Sequence, residues 1–138
     1  MTVLFWSAAK TEAESLLCGI VESVSAGRVV ESLPDLEALA RRLRRPGADE
    51  VAVVLLAGTR EALEALLSME EFLRDRKIIL VLPDHDKETV ALGHRLGPRF
   101  LTYLDSDLSD VGAVLTRMIK HHNYEKALKA FEQSDNHL

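Results

Sequence analysis

The sequence predicts an α/β domain: an open, five-stranded parallel sheet with helices on both faces. Three observations carry this. Five apolar runs of strand length are spaced along the chain, and helical stripes fill the intervals between them. The two central runs, VAVVLLA (Val51 to Ala57) and KIILVL (Lys77 to Leu82), are apolar almost throughout instead of alternating. A strand reads that way when helices cover both of its faces.

The elements follow in order. TVLFW, Thr2 to Trp6, is the first strand. Thr11 and Glu14 then have capping-box spacing, and Ala13, Leu16, Leu17, Ile20, Val21 and Val24 form one helical stripe that Gly27 ends. The second strand is RVVES, Arg28 to Ser32. Pro34 suits a first helical position, with Leu36, Leu39, Ala40 and Leu43 facing inward and Pro46 and Gly47 closing the helix. After the third strand, Thr59 can cap a helix carrying Ala62, Leu63, Leu66 and Leu67, and a further turn holds Phe72 and Leu73. After the fourth strand, Asp84 or Asp86 can cap a helix with Val90, Leu92 and Leu96, which Gly97 and Pro98 end. RFLTYL, Arg99 to Leu104, is the fifth strand. Five strand–helix units with right-handed crossovers predict the strand order 2-1-3-4-5, the arrangement called flavodoxin-like.

Bulk properties narrow the function. A chain of 138 residues suits one domain. Its net charge of −5 argues against a nucleic-acid-binding surface, which needs a strongly basic face. The run RRLRR, Arg41 to Arg45, is read as the solvated last turn of a helix, where cations suit the dipole. The single Cys18 lies on an apolar helical face and cannot make an internal disulfide, so it is read as packing. The first residues lack the basic start and cleavage site of a signal peptide, and no apolar run reaches the ~20 residues of a membrane span. The expectation is a cytoplasmic protein with no membrane contact.

The last stretch breaks the pattern. The fifth helix should begin near Asp107 or Ser109, with Val111, Val114, Leu115, Met118 and Ile119 packing on the sheet. After KHHN, Lys120 to Asn123, a second group (Tyr124, Leu128, Phe131) recurs at helical spacing but points roughly the other way. The expected organisation is a (βα)5 domain over residues 1–121 and a helical extension or tail over 122–138. Three readings stay open for that tail. It projects a stripe that a partner covers, it folds back on the domain, or it frays. The favoured reading makes Tyr124, Leu128 and Phe131 an interface, with Lys120 and His121 at its rim, and a second copy of the chain the simplest partner.

Other candidate sites are weaker. PDHDKE, Pro83 to Glu88, and DSDLSD, Asp105 to Asp110, both fall at the carboxyl edge of the sheet, where open α/β folds bind ligands. Asp84, Asp86, Asp105 and Asp107, with His85 beside them, are therefore ligand-loop candidates, although each loop also needs an Asp or Ser to start its helix. His121 and His122 point about 100° apart on a helix, which is poor for one metal, while His121 and Glu125 have i, i+4 spacing. His94 and His137 are isolated. Ser7 has no evident base to activate it, and no phosphate-binding glycine loop is present. LLAGT, Leu55 to Thr59, could offer backbone N–H groups to an anion at a helix start, a generic property of such folds. No metal, cofactor or catalytic residue is expected.

The order and loops resemble the receiver domain of bacterial response regulators. The best local match is ALGHRLGPRFLTYLDSD, Ala91 to Asp107, where a helix ends in a glycine turn and a short fifth strand begins with an aromatic. The resemblance covers residues 1 to about 121. It implies a Mg²⁺-dependent phosphotransfer site: an acidic pair after the first strand, an Asp ending the third, a Thr or Ser ending the fourth and a Lys near the end of the fifth. This sequence departs at every point, with Ser7 and Ala8 for the pair, Ala57 or Gly58 for the phosphoacceptor, Leu82 and then Pro83 for the hydroxyl, and Tyr103 for the Lys. Phe100 stands where such domains carry a switch aromatic, and a core role explains it as well. The resemblance therefore implies a degenerate receiver, or pseudo-receiver. It would be a regulatory module without enzymatic activity, working through contacts with itself or another signalling protein. The alternative is a small-ligand or ion-binding domain that uses the acidic loops.

Overall fold

The computed structural model describes residues 1–8, 11–25, 29–45 and 49–135. Five strands, β1 (Thr2–Ser7), β2 (Val29–Leu33), β3 (Glu50–Leu56), β4 (Ile78–Leu82) and β5 (Phe100–Tyr103), form one parallel sheet in the order β2-β1-β3-β4-β5. The helices are α1 (Glu12–Val24), α2 (Leu36–Arg44), α3 (Arg60–Leu67), α4 (Glu70–Leu73), α5 (Lys87–Arg95) and α6 (Ser109–Asp135). This is the flavodoxin-like arrangement expected from the sequence.

The pleat of the strands divides the core in two. Val3, Phe5, Val54, Leu56, Ile79 and Val81 face α1 and α6, where Leu17, Val21, Val111, Leu115 and Ile119 meet them. Leu4, Trp6, Val53, Leu55, Leu80 and Leu82 face the other way, onto Leu39, Leu43, Leu63, Leu66 and Leu73 of α2, α3 and α4. Every residue of β4 is buried, as its unbroken apolar run requires. Each fully buried aliphatic side chain contributes about 1.5–3 kcal/mol, so these two layers are the main favourable term in folding.

Helix starts follow capping chemistry with two departures from expectation. Thr59 Oγ1 accepts from Ala62 N at 3.1 Å, as predicted. For α2 it is Asp35 that caps, its Oδ1 accepting from Ala38 N at 2.7 Å, so Pro34 lies before the cap and outside the first helical position. A carboxylate satisfies an orphan N–H directly, which proline cannot do. Thr11 has the extended backbone of an N-cap, but its side chain makes no capping bond, so the expected box does not form. The helix after β3 breaks at Met69, whose φ of −118° and ψ of 26° separate α3 from α4. Gly97, at φ +64°, ends α5 as expected, its N–H bonding to His94 O at 3.0 Å. Gly27, Arg28, Pro46, Gly47 and His137 lie outside the described residues.

Two ion networks fix the periphery. Arg76 Nη1 donates to both Glu50 carboxylate oxygens at 2.7 and 2.8 Å, and its Nη2 donates to Leu43 O at 2.8 Å. Arg42 pairs with Glu31 at 2.6 Å, and Arg44 lies over the Phe72 ring at 5.4 Å. Arg42 is thus held within the fold, while Arg41, Arg44 and Arg45 stay exposed at the solvated end of α2.

Candidate functional site

The carboxyl edge of the sheet is where this architecture places ligands, and here the strand ends at Ala57 and Leu82 are apolar while the loops after β4 and β5 are acidic. The third strand leads into Ala57, which is fully buried and donates its N–H to Val81 O at 2.9 Å. Ser7 pairs with Leu56 across β1 and β3, and Ala8 N–H bonds to Leu56 O at 3.2 Å. Leu82 stands beside Tyr103 in the β4–β5 register and is fully buried. Gly93 of α5 makes room for it: a Cβ there would lie 3.1 Å from both Leu82 methyls and 3.2 Å from Leu101. The five positions Ser7, Ala8, Ala57, Leu82 and Tyr103 fall at one edge, and none carries a carboxylate or an amine.

The four candidate aspartates lie in the two loops at this edge but do not converge. Asp84 Oδ1 accepts from Asp86 N at 3.0 Å, and Asp107 Oδ1 accepts from Ser109 N at 3.0 Å, so both shape the turns that start α5 and α6. The Ser109 hydroxyl and N–H hold the Asp107 carboxyl below its ordinary range. Asp86 is the N-cap residue of α5 without a side-chain capping bond. Asp105 Oδ1 instead accepts from His85 Nε2 at 2.8 Å. Among the described residues, no group of three or more His, Cys, Asp or Glu side chains could hold a metal ion.

Sequence reasoning missed what His85 does. Its ring stacks on Tyr103, with centroids 3.7 Å apart and planes 19° from parallel. Tyr103 thus occupies the edge with an aromatic face that His85 covers and Asp105 orients. Phe100 packs partly buried against the α1/α6 side of the core, a packing role. Cys18 is half-buried, and burial followed by the Glu22 charge raises its thiol pKa, which disfavours the reactive thiolate.

The second candidate surface lies at the opposite edge. Helix α6 runs unbroken from Ser109 to Asp135, straight through the 121/122 boundary. The fold-back and frayed readings of the tail are therefore corrected: one continuous helix carries both apolar groups. Val111, Leu115 and Ile119 are buried on the sheet, while Tyr124, Leu128 and Phe131 are 63%, 43% and 66% exposed. Where α6 leaves the domain it is tied to Asp49, just before β3. His122 Nε2 donates to Asp49 Oδ1 at 3.2 Å and Lys126 Nζ lies 3.3 Å from it, while the Met1 amino group bonds to Oδ2. The amino group first, then His122, holds the Asp49 carboxyl well below its usual range. His121 pairs with Glu125 at 2.9 Å on the helix surface. His121 and His122 thus diverge, one along the helix and one toward the domain.

Between α1 and the first two turns of α6 lies an open groove of about 530 Å³, lined by Leu16, Gly19, Ile20, Gly112, Ala113 and Thr116 among others. A Cβ on Gly112 would lie 3.0 Å from Ile20 Cγ2, so this glycine sets how closely the two helices approach. The sequence signal was present in the spacing of small residues, Ser15, Gly19 and Ser23 on one helix and Ser109, Gly112 and Ala113 on the other.

No helix among the described residues is long and apolar enough to cross a membrane. No family model matches the chain, and no curated protein matches it significantly. Among solved structures, the chain is similar to a response regulator receiver protein from Pseudoalteromonas atlantica, with a TM-score of 0.58 and 12% identity over 91% of this chain and 99% of that one. At that identity the likeness is one of fold: the chain has the architecture of a receiver domain.

Proposed function

We propose that the protein is a receiver-like signalling or regulatory module of the cytoplasm that takes no phosphoryl group and acts through protein–protein contacts. The observation that carries this is the carboxyl edge. Ala57 or Gly58 follows the third strand where the resemblance puts a receiver's phosphoacceptor, Ala57 is fully buried, and Leu82 and Tyr103 fall where the resemblance puts the hydroxyl and the amine. Phosphoryl transfer to a carboxylate needs an acceptor oxygen, a cation held by oxygen ligands and a positive group for the developing charge. The side chains at these five positions include no carboxylate to accept the group or hold the cation and no amine to meet the charge. A fold that keeps the scaffold and lacks the chemistry retains its surfaces as its means of action, and its most prominent apolar surface is the projecting half of α6.

The test is intact-mass spectrometry after incubation with acetyl phosphate and Mg²⁺. The expected result is an unchanged mass. A stoichiometric phosphoryl adduct, cleaved by base or hydroxylamine as an acyl phosphate is, would defeat the reading.

A further inference from the structure

We infer that the cleft between the ends of β1 and β2 and the first turns of α1 binds a small organic molecule through a primary ammonium group, with the Glu14 carboxylate as its counter-charge. The site is separate from the α6 surface and does not rest on the contact-module reading above.

The cleft follows from the order of the chain. β1 and β2 pair in parallel, with Phe5 beside Ser32 and Trp6 beside Leu33, so both strands end at the carboxyl edge. Helix α1 lies between them in sequence. Glu14 and Cys18 are one turn apart on it and share one face, while Leu16 and Ile20 line the groove toward α6 on another. The result is a cleft of about 330 Å³, walled by Glu14 and Cys18 of α1 and by Ser32, Leu33 and Pro34 at the end of β2. Small-molecule sites run from roughly 300 to 1,000 Å³, so this one suits a small ligand. It also lies at the edge where open α/β sheets take ligands.

The fold leaves the carboxylate unanswered. Glu14 Oε2 is buried, and no group of the protein donates a hydrogen bond to it. Buried acceptors are almost always paired, because they lose water on folding, and a charged acceptor loses more than a neutral one. Glu50 shows the usual arrangement, with Arg76 donating to both of its oxygens. None of the described residues lining the cleft is Lys, Arg or His, so the counter-charge has to come from outside. The Cys18 thiol reports the same local field: burial first, then the Glu22 and Glu14 charges, raise its pKa.

The lining also selects the kind of cation. A divalent metal takes several oxygen ligands, and Glu14 is the only carboxylate among the described residues that line the cleft. A guanidinium is matched by paired acceptors in one plane, which a single buried oxygen does not offer. An ammonium is a compact charge with three donors. One meets Glu14, and the Ser32 hydroxyl on the facing wall can accept another. Phe5, Leu33 and Pro34 give apolar surface to a short hydrocarbon chain behind the charge.

The test titrates the full, ¹⁵N-labelled chain with n-butylammonium, n-butanol and butyrate and follows the backbone amide resonances. Butylammonium is expected to shift the Glu14, Cys18 and Ser32 amides saturably, with a dissociation constant in the millimolar range that suits so small a ligand. Butanol and butyrate are expected to bind at least about tenfold more weakly, the scale of one charge-assisted hydrogen bond. Glu14→Gln keeps the shape, removes the charge and is expected to weaken butylammonium by about the same factor. Ala8→Leu, at an exposed position on the rim, narrows the cleft with Glu14 in place and is expected to weaken it as well. The amide spectrum of each variant shows that it folds. The inference is overturned if butanol binds as tightly as butylammonium, if Glu14→Gln leaves the constant unchanged, or if the shifts centre on the loops of Asp84 and Asp105. Nα-acetyl-lysine methylamide carries the same ammonium on a peptide backbone. Binding no tighter than that of butylammonium supports a free amine, and much tighter binding assigns the cleft to a partner protein's lysine and overturns the small-molecule claim. None of these outcomes bears on the phosphoryl-donor experiment, so the two readings fail separately.

Discussion

At the scale of single residues, Ala57 decides the character of the carboxyl edge. It is fully buried, and its side chain belongs to the layer that includes Leu55, Leu82 and Trp6. Restoring a carboxylate there does not restore a receiver. Ala57→Asp places a charge among hydrocarbon with no cation-binding acids at Ser7 or Ala8 to answer it. The expected result is a loss of about 3 kcal/mol in denaturant unfolding, with no phosphoryl uptake from acetyl phosphate and Mg²⁺. Stable folding with stoichiometric uptake would contradict the account of this edge. That β3 leads into a buried, apolar end was legible from the sequence, because strand ends follow from apolar runs. The His85–Tyr103 stack was not legible, since it joins the loop after β4 to the end of β5, whose approach only the sheet order fixes.

At the scale of elements, the notable feature is that α6 is one helix. Two apolar stripes facing apart did not tell a break from a continuation, because periodicity reports facing and says nothing of what holds a helix straight. Asp49 supplies part of that hold, and a lone Asp in a loop gives no sign of reaching 73 residues ahead to His122. Asp49→Asn tests it. The Asp49 carboxyl is held below its ordinary 3.8, so its contribution is fully present above that value and is lost as pH falls through the lower, folded-state pKa. Thermal unfolding of the two forms between neutral pH and pH 2 should show the variant less stable at neutral pH. The gap should close progressively below about pH 4, where the unfolded carboxyl begins to take up its proton. A gap that stays constant to pH 2 would mean that Asp49 acts by packing. Asp49 is 40% exposed, so the neutral-pH difference is expected to be modest, as for other solvent-screened pairs.

At the scale of the molecule, architecture was the most legible feature. The order β2-β1-β3-β4-β5 follows from five alternations and the hand of the crossovers, and the structure has that order. Helix starts were less legible, as Asp35 in place of Pro34 illustrates, because neighbouring residues compete for one cap and local pattern does not rank them. The acidic loops misled in the same way: four aspartates close in sequence order look like a ligand set until Asp84 and Asp107 are found shaping helix starts. What remains is a receiver-type scaffold with apolar strand ends at Ala57 and Leu82 and a helix that carries an exposed apolar stripe out by the opposite edge.

The most direct test of this account is the solution mass of the full chain over a concentration series, measured with and without acetyl phosphate and Mg²⁺. The account predicts a mass at each concentration that is the same under both conditions, since the contact surface proposed on α6 owes nothing to a phosphoryl group. A monomer that dimerises only when the phosphoryl donor is present would contradict it.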